Sequence, residues 1–515
     1  MKHLVICVMG LTLITTSSFA TTKTVSQTAG AADFTSIQAA IDSFTEAELQ
    51  DGVPDEVVIL DSATYDEQVI LGMMVPAEGQ AEGYLENAIE FNKTMDPFTL
   101  RGSDPENPPT IAPTTGSGVA YGVFNDDPGD NYTATLSFLG KDLNVANLQI
   151  RYNGTTTEYG INGQAGNMSF DNVLFGRTGD GTDGDALINF NNDVNLVPEG
   201  FNNSYSFNNC TWDATTESGE PYGGDSVYFH GYSADDLNAT GLTPEQAAAN
   251  VQFDNCTFIN GNEAVRLRGN AQPNHVTINR CYLTSSINGF MADGAGSMTI
   301  QNSIFHNNLT QPGDIDLESG LIRVQERGGQ TAALVVRNNL FIDNLNPEDF
   351  QNADGYTSRA AVIRIHNSDS DDPVVEISNN TFINNPLILR FYDASARERT
   401  AVVNNNIFQN VKIVLTASDS AGVSYLPATG PDGTTTLMVS GENNVFDGVT
   451  TVVEEGEELP NVSINGTNST VTFTNASINV DDPFAGPPYL VESGADEGIG
   501  ADLSVPTGIR DFMIH

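Results

Sequence analysis

Seven residues of the types that bind anions or transfer protons recur at two positions of short, alternating segments. The first position carries Arg266, Arg323, Arg364 and Arg390, and the second, two residues later, carries Arg268, His366 and Tyr392. Arginine keeps its charge in proteins and binds carboxylates or sulfates through paired hydrogen bonds. Histidine exchanges a proton near neutral pH. Together these residue types suit the binding of an anionic substrate beside a group that can move a proton.

These arginines stand in a chain with few basic residues. The sequence has 20 Lys and Arg against 67 Asp and Glu, a formal charge of −47, and eleven of the basic residues lie between Arg266 and Arg399. Like charges on neighbouring strands repel, so stacked arginines need anionic partners. One source of partners is the acidic residues of the connecting segments, namely Asp314, Asp316, Glu318, Asp369, Asp371 and Asp372. The other is an acidic polysaccharide held in a groove, and both sources remain open.

The same residues suggest a catalytic hypothesis, the β-elimination of a uronate polysaccharide. Arg364 and Arg390 would neutralise the uronate carboxylate. His366 would take the C5 proton, and Tyr392 would donate or accept the proton at the leaving oxygen. The other arginines at these two positions, Arg266, Arg268 and Arg323, are expected to bind substrate.

Hydrolysis would need a different arrangement, two carboxyl groups about 5–5.5 or 6.5–9.5 Å apart. Asp293 and Asp393 are predicted to lie three coils apart, on the order of 14 Å at strand spacing. Strand alternation points Glu326 away from Asp293. The sequence therefore favours a lyase over a hydrolase. The alternative from another class is a non-catalytic extracellular structural or adhesive protein whose arginines are held in salt bridges.

The elements that must position these residues follow a recurring phrase, apolar-x-Asn-x-x-aromatic. Its copies are centred on Asn172, Asn209, Asn255, Asn302, Asn338, Asn379, Asn405 and Asn443, with a degenerate copy at Arg280. A phrase that returns every few tens of residues is typical of a repeat architecture in which neighbouring units bury one another. Buried asparagines at equivalent turns can bond to the backbone and to each other. The aromatic residues are expected to fill the interior.

A second, alternating strand follows most copies of the phrase. The apolar residues Leu267, Val324, Ile365 and Phe391 separate the two chemical positions. Because successive side chains point to opposite faces of a strand, the arginines are predicted to face outward into solvent. Strands that recur once per coil in one direction stack as parallel sheets. The sequence thus predicts an all-β fold, a single-stranded right-handed parallel β-helix of about ten or more coils with an N-terminal capping helix.

Four segments are predicted along the chain. Residues 1–20 have the pattern of a secretory signal, with Lys2 and His3 before an apolar stretch and small residues up to Ala20, after which cleavage is expected. Residues 21–150 form the N-terminal cap and first coils, residues 151–475 the regular coils, and residues 476–515 a C-terminal tail or cap. Helical spacing of Phe34, Ile37 and Ile41 predicts the capping helix.

The Asn-x-x-Phe coils resemble those of the pectin lyase-like superfamily of secreted β-helix proteins. The first third is more narrowly similar to the start of pectin methylesterases, through DFTSIQAAID at 33–42, FTLRG at 98–102 and NVANLQI at 144–150. These stretches are structural, so the resemblance implies the fold. The methylesterase signatures, of Gln-Asp-Thr-Leu and Asp-Phe-Ile-Phe-Gly type, have no counterpart in the sequence. The Asn-Thr-Asp, Asp-Asp and Gly-His-Gly pattern of polygalacturonases has none either.

The amino-acid composition limits which binding partners and which cellular location are expected. The acidic excess disfavours nucleic acid and anionic membranes, which require basic patches, and no segment is apolar and long enough to insert in a bilayer. A secreted or periplasmic location is expected. Cys210, Cys256 and Cys281 share one slot of consecutive phrases, which favours small buried side chains over a disulfide. Calcium is an open candidate ion without EF-hand spacing, and the sequence does not indicate the oligomeric state.

Overall fold

The computed structural model describes the chain from residue 20 to residue 504 with gaps. The described residues are 20–72, 91, 94–114, 134–140, 142–152, 159–164, 167–178, 186–190, 203–215, 225–229, 237–238, 243–268, 273–294, 296–308, 320–325, 332–345, 361–366, 374–392, 400–418, 438–453, 462–486, 488–496 and 498–504. Residues 1–19 of the predicted signal and much of the connecting sequence therefore lie outside them.

Strands account for nearly all of the regular structure. In the first part of the chain they are β1 (Thr22–Val25), β2 (Asp55–Ile59), β3 (Thr64–Tyr65), β4 (Val69–Leu71), β5 (Phe98–Gly102), β6 (Thr110–Ile111), β7 (Ala134–Leu139), β8 (Asp142–Tyr152), β9 (Tyr159–Gln164), β10 (Asn167–Arg177), β11 (Ala186–Phe190), β12 (Asn203–Asn208), β13 (Thr211–Asp213), β14 (Asp225–Phe229), β15 (Ala249–Asp254), β16 (Thr257–Ile259), β17 (Val265–Arg268) and β18 (Asn274–Asn279). The single α-helix named among them is α1 (Ile37–Asp42), between β1 and β2.

The second part of the chain continues the same pattern. Its strands are β19 (Tyr282–Thr284), β20 (Phe290–Asp293), β21 (Gly296–Gln301), β22 (Ile304–His306), β23 (Gly320–Gln325), β24 (Ala333–Arg337), β25 (Leu340–Ile342), β26 (Ala361–His366), β27 (Val374–Ser378), β28 (Thr381–Ile383), β29 (Leu387–Tyr392), β30 (Thr400–Asn404), β31 (Ile407–Gln409), β32 (Ile413–Ser418), β33 (Met438–Asp447), β34 (Thr451–Val453), β35 (Val462–Asn468), β36 (Thr472–Thr474) and β37 (Leu490–Ser493).

The strands assemble into two long parallel sheets, as the repeat predicts. One sheet has 23 strands, and the other has 12, in the order β4-β7-β9-β11-β14-β17-β20-β23-β26-β29-β32-β34. In the 12-stranded sheet each strand pairs in parallel with the equivalent strand of the next coil, for example β23 with β26 and β26 with β29. Most coils add one strand to the 12-stranded sheet and two to the 23-stranded sheet, always in parallel. This is the arrangement of a parallel β-helix, and the predicted ten or more coils are confirmed.

Aromatic residues of the recurring phrase stack through the interior. In the second half, Phe305, Phe341, Phe382 and Phe408 form a column with ring centroids 4.5, 4.8 and 5.2 Å apart and nearly parallel planes. All four rings are fully buried. Each ring thus packs against the equivalent ring of the next coil at strand spacing, which is why the aromatic position recurs.

The two asparagines of the phrase have different tasks. The first, such as Asn338, has a φ of 54° and supplies the left-handed turn residue, a conformation that Asn tolerates better than most residues. The next residue, such as Asn339, is fully buried. Its Nδ2 donates to Ile300 O at 2.9 Å and to Asn380 Oδ1 at 3.0 Å. The buried ladder therefore lies one position after the asparagine of the phrase.

The three cysteines occupy the same ladder slot in earlier coils. They are free and buried. The sulfur of Cys256 contacts Phe207 O at 3.5 Å, and that of Cys281 contacts Phe253 O at 3.6 Å. These carbonyls correspond to those that the asparagines bind in later coils. The predicted structural role of the cysteines, without a disulfide, matches this placement.

The predicted N-terminal helix is present but begins at Ile37, and Phe34, which the helical spacing included, instead forms a parallel bridge with Val25. Ser36 is the N-cap, and its Oγ accepts a hydrogen bond from Ala39 N. Ile37, Ala40 and Ile41 are buried in the main core, so α1 packs its apolar face on the first coil. The described residues place it at the N-terminal end, in keeping with a capping helix.

Candidate functional site

The register of the 12-stranded sheet aligns the residues of the two predicted positions into two columns that run across the strands. Arg266 lies opposite Met291, which lies opposite Arg323, and the column continues through Arg364 to Arg390. The second column runs from Arg268 through Asp293, Gln325 and His366 to Tyr392. The inward residues between the columns, Leu267, Val324, Ile365 and Phe391, are buried. The recurring phrase therefore gave the correct register for every coil in this stretch.

Exposure along the first column does not match the prediction of a solvent-facing surface. Arg364 and Arg390 are 1% and 0% exposed, and Arg323 is 8% exposed. The side chain of Arg266 is 25% exposed and reaches solvent best among them. The prediction of solvent exposure was wrong for Arg364 and Arg390. Alternation determines on which side of a sheet a residue lies, but it does not determine what covers that side.

Buried carboxylates neutralise the N-terminal end of the column. Glu263 Oε1 accepts a hydrogen bond of 2.9 Å from Arg323 Nη1, and Glu263 Oε2 lies 3.5 Å from Arg266 Nη1. Asp293 Oδ2 lies 3.6 Å from Arg266 Nη2. Both acids are about 95% buried. Arg266 is thus held between two carboxylates, and its guanidinium also lies 5.5 Å from the ring centre of Tyr228.

Glu263 is a site residue that the sequence did not predict. It precedes β17, so it lies outside the strand alternation that identified the columns. The available signal was its position three residues before Arg266, in the short turn between two strands of one coil. An acidic residue in that turn reaches Arg266 in its own coil and Arg323 two strands along the sheet.

The proposed proton-transferring residues are neighbours in the sheet. His366 and Tyr392 lie opposite each other on β26 and β29, and His366 is half-buried. The side chains of Tyr392 and Arg268 lie outside the described part of the chain. Their roles, and the substrate-binding roles of Arg266, Arg323, Arg364 and Arg390, remain predictions.

Only some of the carboxylates considered for hydrolysis lie within the described residues. Asp293 and Glu263 flank Arg266, whereas Glu326 and Asp393 lie outside the described residues, as do the acidic residues predicted to cover the column. Within the described ranges, no three His, Cys, Asp or Glu side chains converge in a way that would hold a metal ion. No helix in the same ranges has the length and apolarity that crossing a bilayer requires.

Comparison with known proteins agrees with the architecture. The family model for a right-handed β-helix region matches residues 200–426. Together with the two long parallel sheets, this match identifies the fold of the chain as a right-handed parallel β-helix. No curated protein gives a significant sequence match.

Several solved structures are similar to this chain at low sequence identity. A Paenibacillus alginate lyase is 12% identical over 81% of this chain and 94% of its own, with a TM-score of 0.37. The lacto-N-biosidase of Eubacterium ramulus is 11% identical over 83% and 68%, with a TM-score of 0.42. Carrot pectin methylesterase is 11% identical over 85% and 90%, with a TM-score of 0.26. Similarity at this level does not define an activity.

Proposed function

We propose that this chain is an exported, carbohydrate-active β-helix protein that binds an acidic, uronate-containing polysaccharide and cleaves it by β-elimination. The observation that carries the proposal is the placement of Arg323, Arg364 and Arg390 opposite one another on three successive strands. In a chain of formal charge −47, this is a concentration of arginine on one face of one sheet. Arginine stacks of this kind suit a polymer that carries one carboxylate per sugar.

The arginines of the first column differ in exposure, and their proposed roles differ accordingly. Arg266 reaches solvent and contacts the polymer directly, while the largely buried Tyr228 packs against its guanidinium. Arg364 and Arg390 are buried, so they act through the positive potential that they maintain near the uronate carboxylate. His366, partly exposed on the neighbouring column, takes the C5 proton, and Tyr392 serves the leaving oxygen.

Product formation tests the catalytic part of this proposal. The protein is incubated with pectate and with alginate, and the ultraviolet absorbance of unsaturated uronate is followed. The absorbance is expected to rise with wild-type protein and to stay flat with His366→Ala, while His366→Ala keeps its polysaccharide affinity. A flat trace with every uronate polymer, alongside measurable binding, would rule out the lyase chemistry and leave the binding function.

Affinity tests the binding part. Arg266→Gln is expected to weaken binding at least tenfold, because a charge-assisted bond to a carboxylate is worth about 1.5–3 kcal/mol. Arg337→Gln is the matched control, since Arg337 is an exposed arginine of the other long sheet and bonds Gln301. If both variants bind like wild type, the column is not a binding surface.

A second candidate function, a non-catalytic structural or adhesive β-helix, has its own support. Arg266 and Arg323 share Glu263, and Arg364 and Arg390 are almost fully buried. If this second function is correct, the arginine column stabilises the sheet and contacts no ligand. The variants at Arg266 and His366 would then change stability alone, with no change in sugar binding or product.

A further inference from the structure

Asp55 is a buried carboxylate at the first residue of β2. It is 3% exposed. Its Oδ1 accepts one hydrogen bond, of 3.2 Å, from the backbone nitrogen of Thr21. Its Oδ2 is buried and has no hydrogen-bond partner within the described structure. Burying a carboxylate that has a single neutral hydrogen-bond donor costs free energy. A cation beside Asp55 would therefore stabilise the folded protein.

The charged groups around Asp55 increase that cost. Burial, followed by the charges of Asp51, Asp96 and Glu48, raises the pKa of Asp55 to about 6. The nearby Lys23 ammonium lies 3.8 Å from Glu48, and no cationic side chain of the described residues forms an ion pair with Asp55. The next residue in the strand, Glu56, has its own partner in Arg101.

We propose that proteolytic processing between Ala20 and Thr21 supplies the missing cation, as the α-ammonium of Thr21 forms a buried ion pair with Asp55. The sequence independently predicts cleavage at this bond, and the proposal rests on that cleavage. A signal peptidase adds one water across the amide, leaving a carboxylate on Ala20 and an amine on Thr21, which takes a proton at neutral pH. The nitrogen that now donates one hydrogen bond becomes a group with three donors.

Strand pairing holds that nitrogen in place without the preceding residues. Glu56 N donates to Thr21 O at 3.0 Å, and β1 pairs with β2 from Thr22 opposite Glu56 onward. Asp55 is fixed in turn, because its own N–H donates to Pro97 O at 3.0 Å. Removal of the leader therefore leaves the two groups 3.2 Å apart, with protons available for both Oδ1 and Oδ2. The processed N-terminus thereby locks the first strand onto the first coil.

The pair has a defined pH window. In the unprocessed chain the folded pKa of Asp55 is raised, so the folded state binds the proton more tightly and stability falls as pH rises through about 6. The ammonium removes this loss by favouring the carboxylate. Its own pKa is raised by the carboxylate above the usual ~7.7–8.0, so its stabilisation is present below that range and is lost at more alkaline pH. The benefit of processing is therefore largest at about pH 6–8.

Four proteins of otherwise full mature length test the proposal. One begins at Thr21, one retains Ala20 as an extension, and each is also made with Asp55→Asn. At pH 7 the Thr21 form is expected to unfold several degrees higher than the Ala20 form, and Asp55→Asn should abolish the difference. The difference should also shrink at about pH 10. Equal melting temperatures for the first two proteins, or a difference that persists in the Asp55→Asn pair, would overturn the ion pair.

The processing site is checked separately by N-terminal sequencing of the exported protein. A start at Thr21 is expected, and any other start overturns the proposal. Both measurements are independent of polysaccharide binding, so their failure would leave the proposed function untouched.

Discussion

Glu263 accepts a hydrogen bond of 2.9 Å from Arg323, a residue 60 positions later and two strands along the sheet. Both residues are more than 90% buried, and the same glutamate lies 3.5 Å from Arg266. One carboxylate thus neutralises two guanidiniums from different coils. The pairing links the turn before β17 to β23 across the intervening β20, in addition to the backbone hydrogen bonds that join adjacent strands.

Glu263→Gln is expected to destabilise the protein by about 3–5 kcal/mol, because it leaves the buried Arg323 without a described counter-charge and leaves Arg266 with Asp293 as its described carboxylate partner. A urea unfolding curve followed by circular dichroism measures the effect as a lower midpoint. Glu245→Gln is the control, since Glu245 is exposed, and it should unfold with wild type. An unchanged midpoint for Glu263→Gln would mean that this carboxylate does not support the column.

The strand register predicted from the sequence agrees with the structure, whereas the predicted solvent exposure of the arginines does not. Alternation has a period of two, so one aligned phrase suffices to place Arg364 opposite Arg390. Burial of these arginines depends on what lies over the sheet, and the connecting segments have no repeat from which to predict it. Glu263 was missed for a related reason, because it stands in a turn between two strands. A repeat constrains the repeated positions and says little about the residues between them.

The asparagine ladder illustrates a finer limit of the same kind. The phrase marks the turn residue, such as Asn379 with a φ of 57°, while the buried ladder uses the residue after it. That slot holds Asn380 and Asn406 in later coils but Ser303 and Cys281 in earlier ones. The copy centred on Asn172 has the apolar Val173 in this slot. The slot therefore accepts several buried residue types and has no fixed identity in the sequence.

Asn380→Leu is expected to cost about 2–4 kcal/mol. Asn380 Nδ2 donates to Val336 O at 2.8 Å, and its Oδ1 accepts from the backbone and side chain of Asn339. Leucine leaves these buried groups without partners, at about 1–3 kcal/mol each before relaxation. Asn380→Ser is the matched control and should cost less, because serine already fills this slot at Ser303. Equal midpoints for the two variants in urea would contradict the hydrogen-bond role of the slot.

The three cysteines after the predicted signal are expected to be inert to thiol reagents in the folded protein. All three are buried and free, and burial raises the pKa of the Cys256 thiol well above its usual range. A chromogenic disulfide reagent should therefore count no thiols at pH 8 in native buffer and three in denaturant. Fewer than three thiols in denaturant would reveal a disulfide, and rapid native labelling would contradict the burial.

The segment after the last coils packs back over the outer face of the 23-stranded sheet. Tyr282, Ile304 and Leu340 on that face form an apolar cluster with Leu503, and Phe484 packs against it. Backbone bonds fix the same course, with Ala501 N donating to Thr381 Oγ1 at 2.9 Å.

Phe484→Ala is expected to lower stability by about 1–2 kcal/mol and to increase binding of a hydrophobic dye. The ring loses partial burial against the cluster and its contact with the Arg280 guanidinium, which lies 4.6 Å from the ring centre. Val480→Ala is the control, because Val480 lies in the same segment and is 62% exposed. If the two variants unfold at the same urea concentration and bind the same amount of dye, the C-terminal segment lies on the sheet without stabilising it. If only Phe484→Ala changes, the apolar side chains that three successive coils direct outward depend on this segment for their cover.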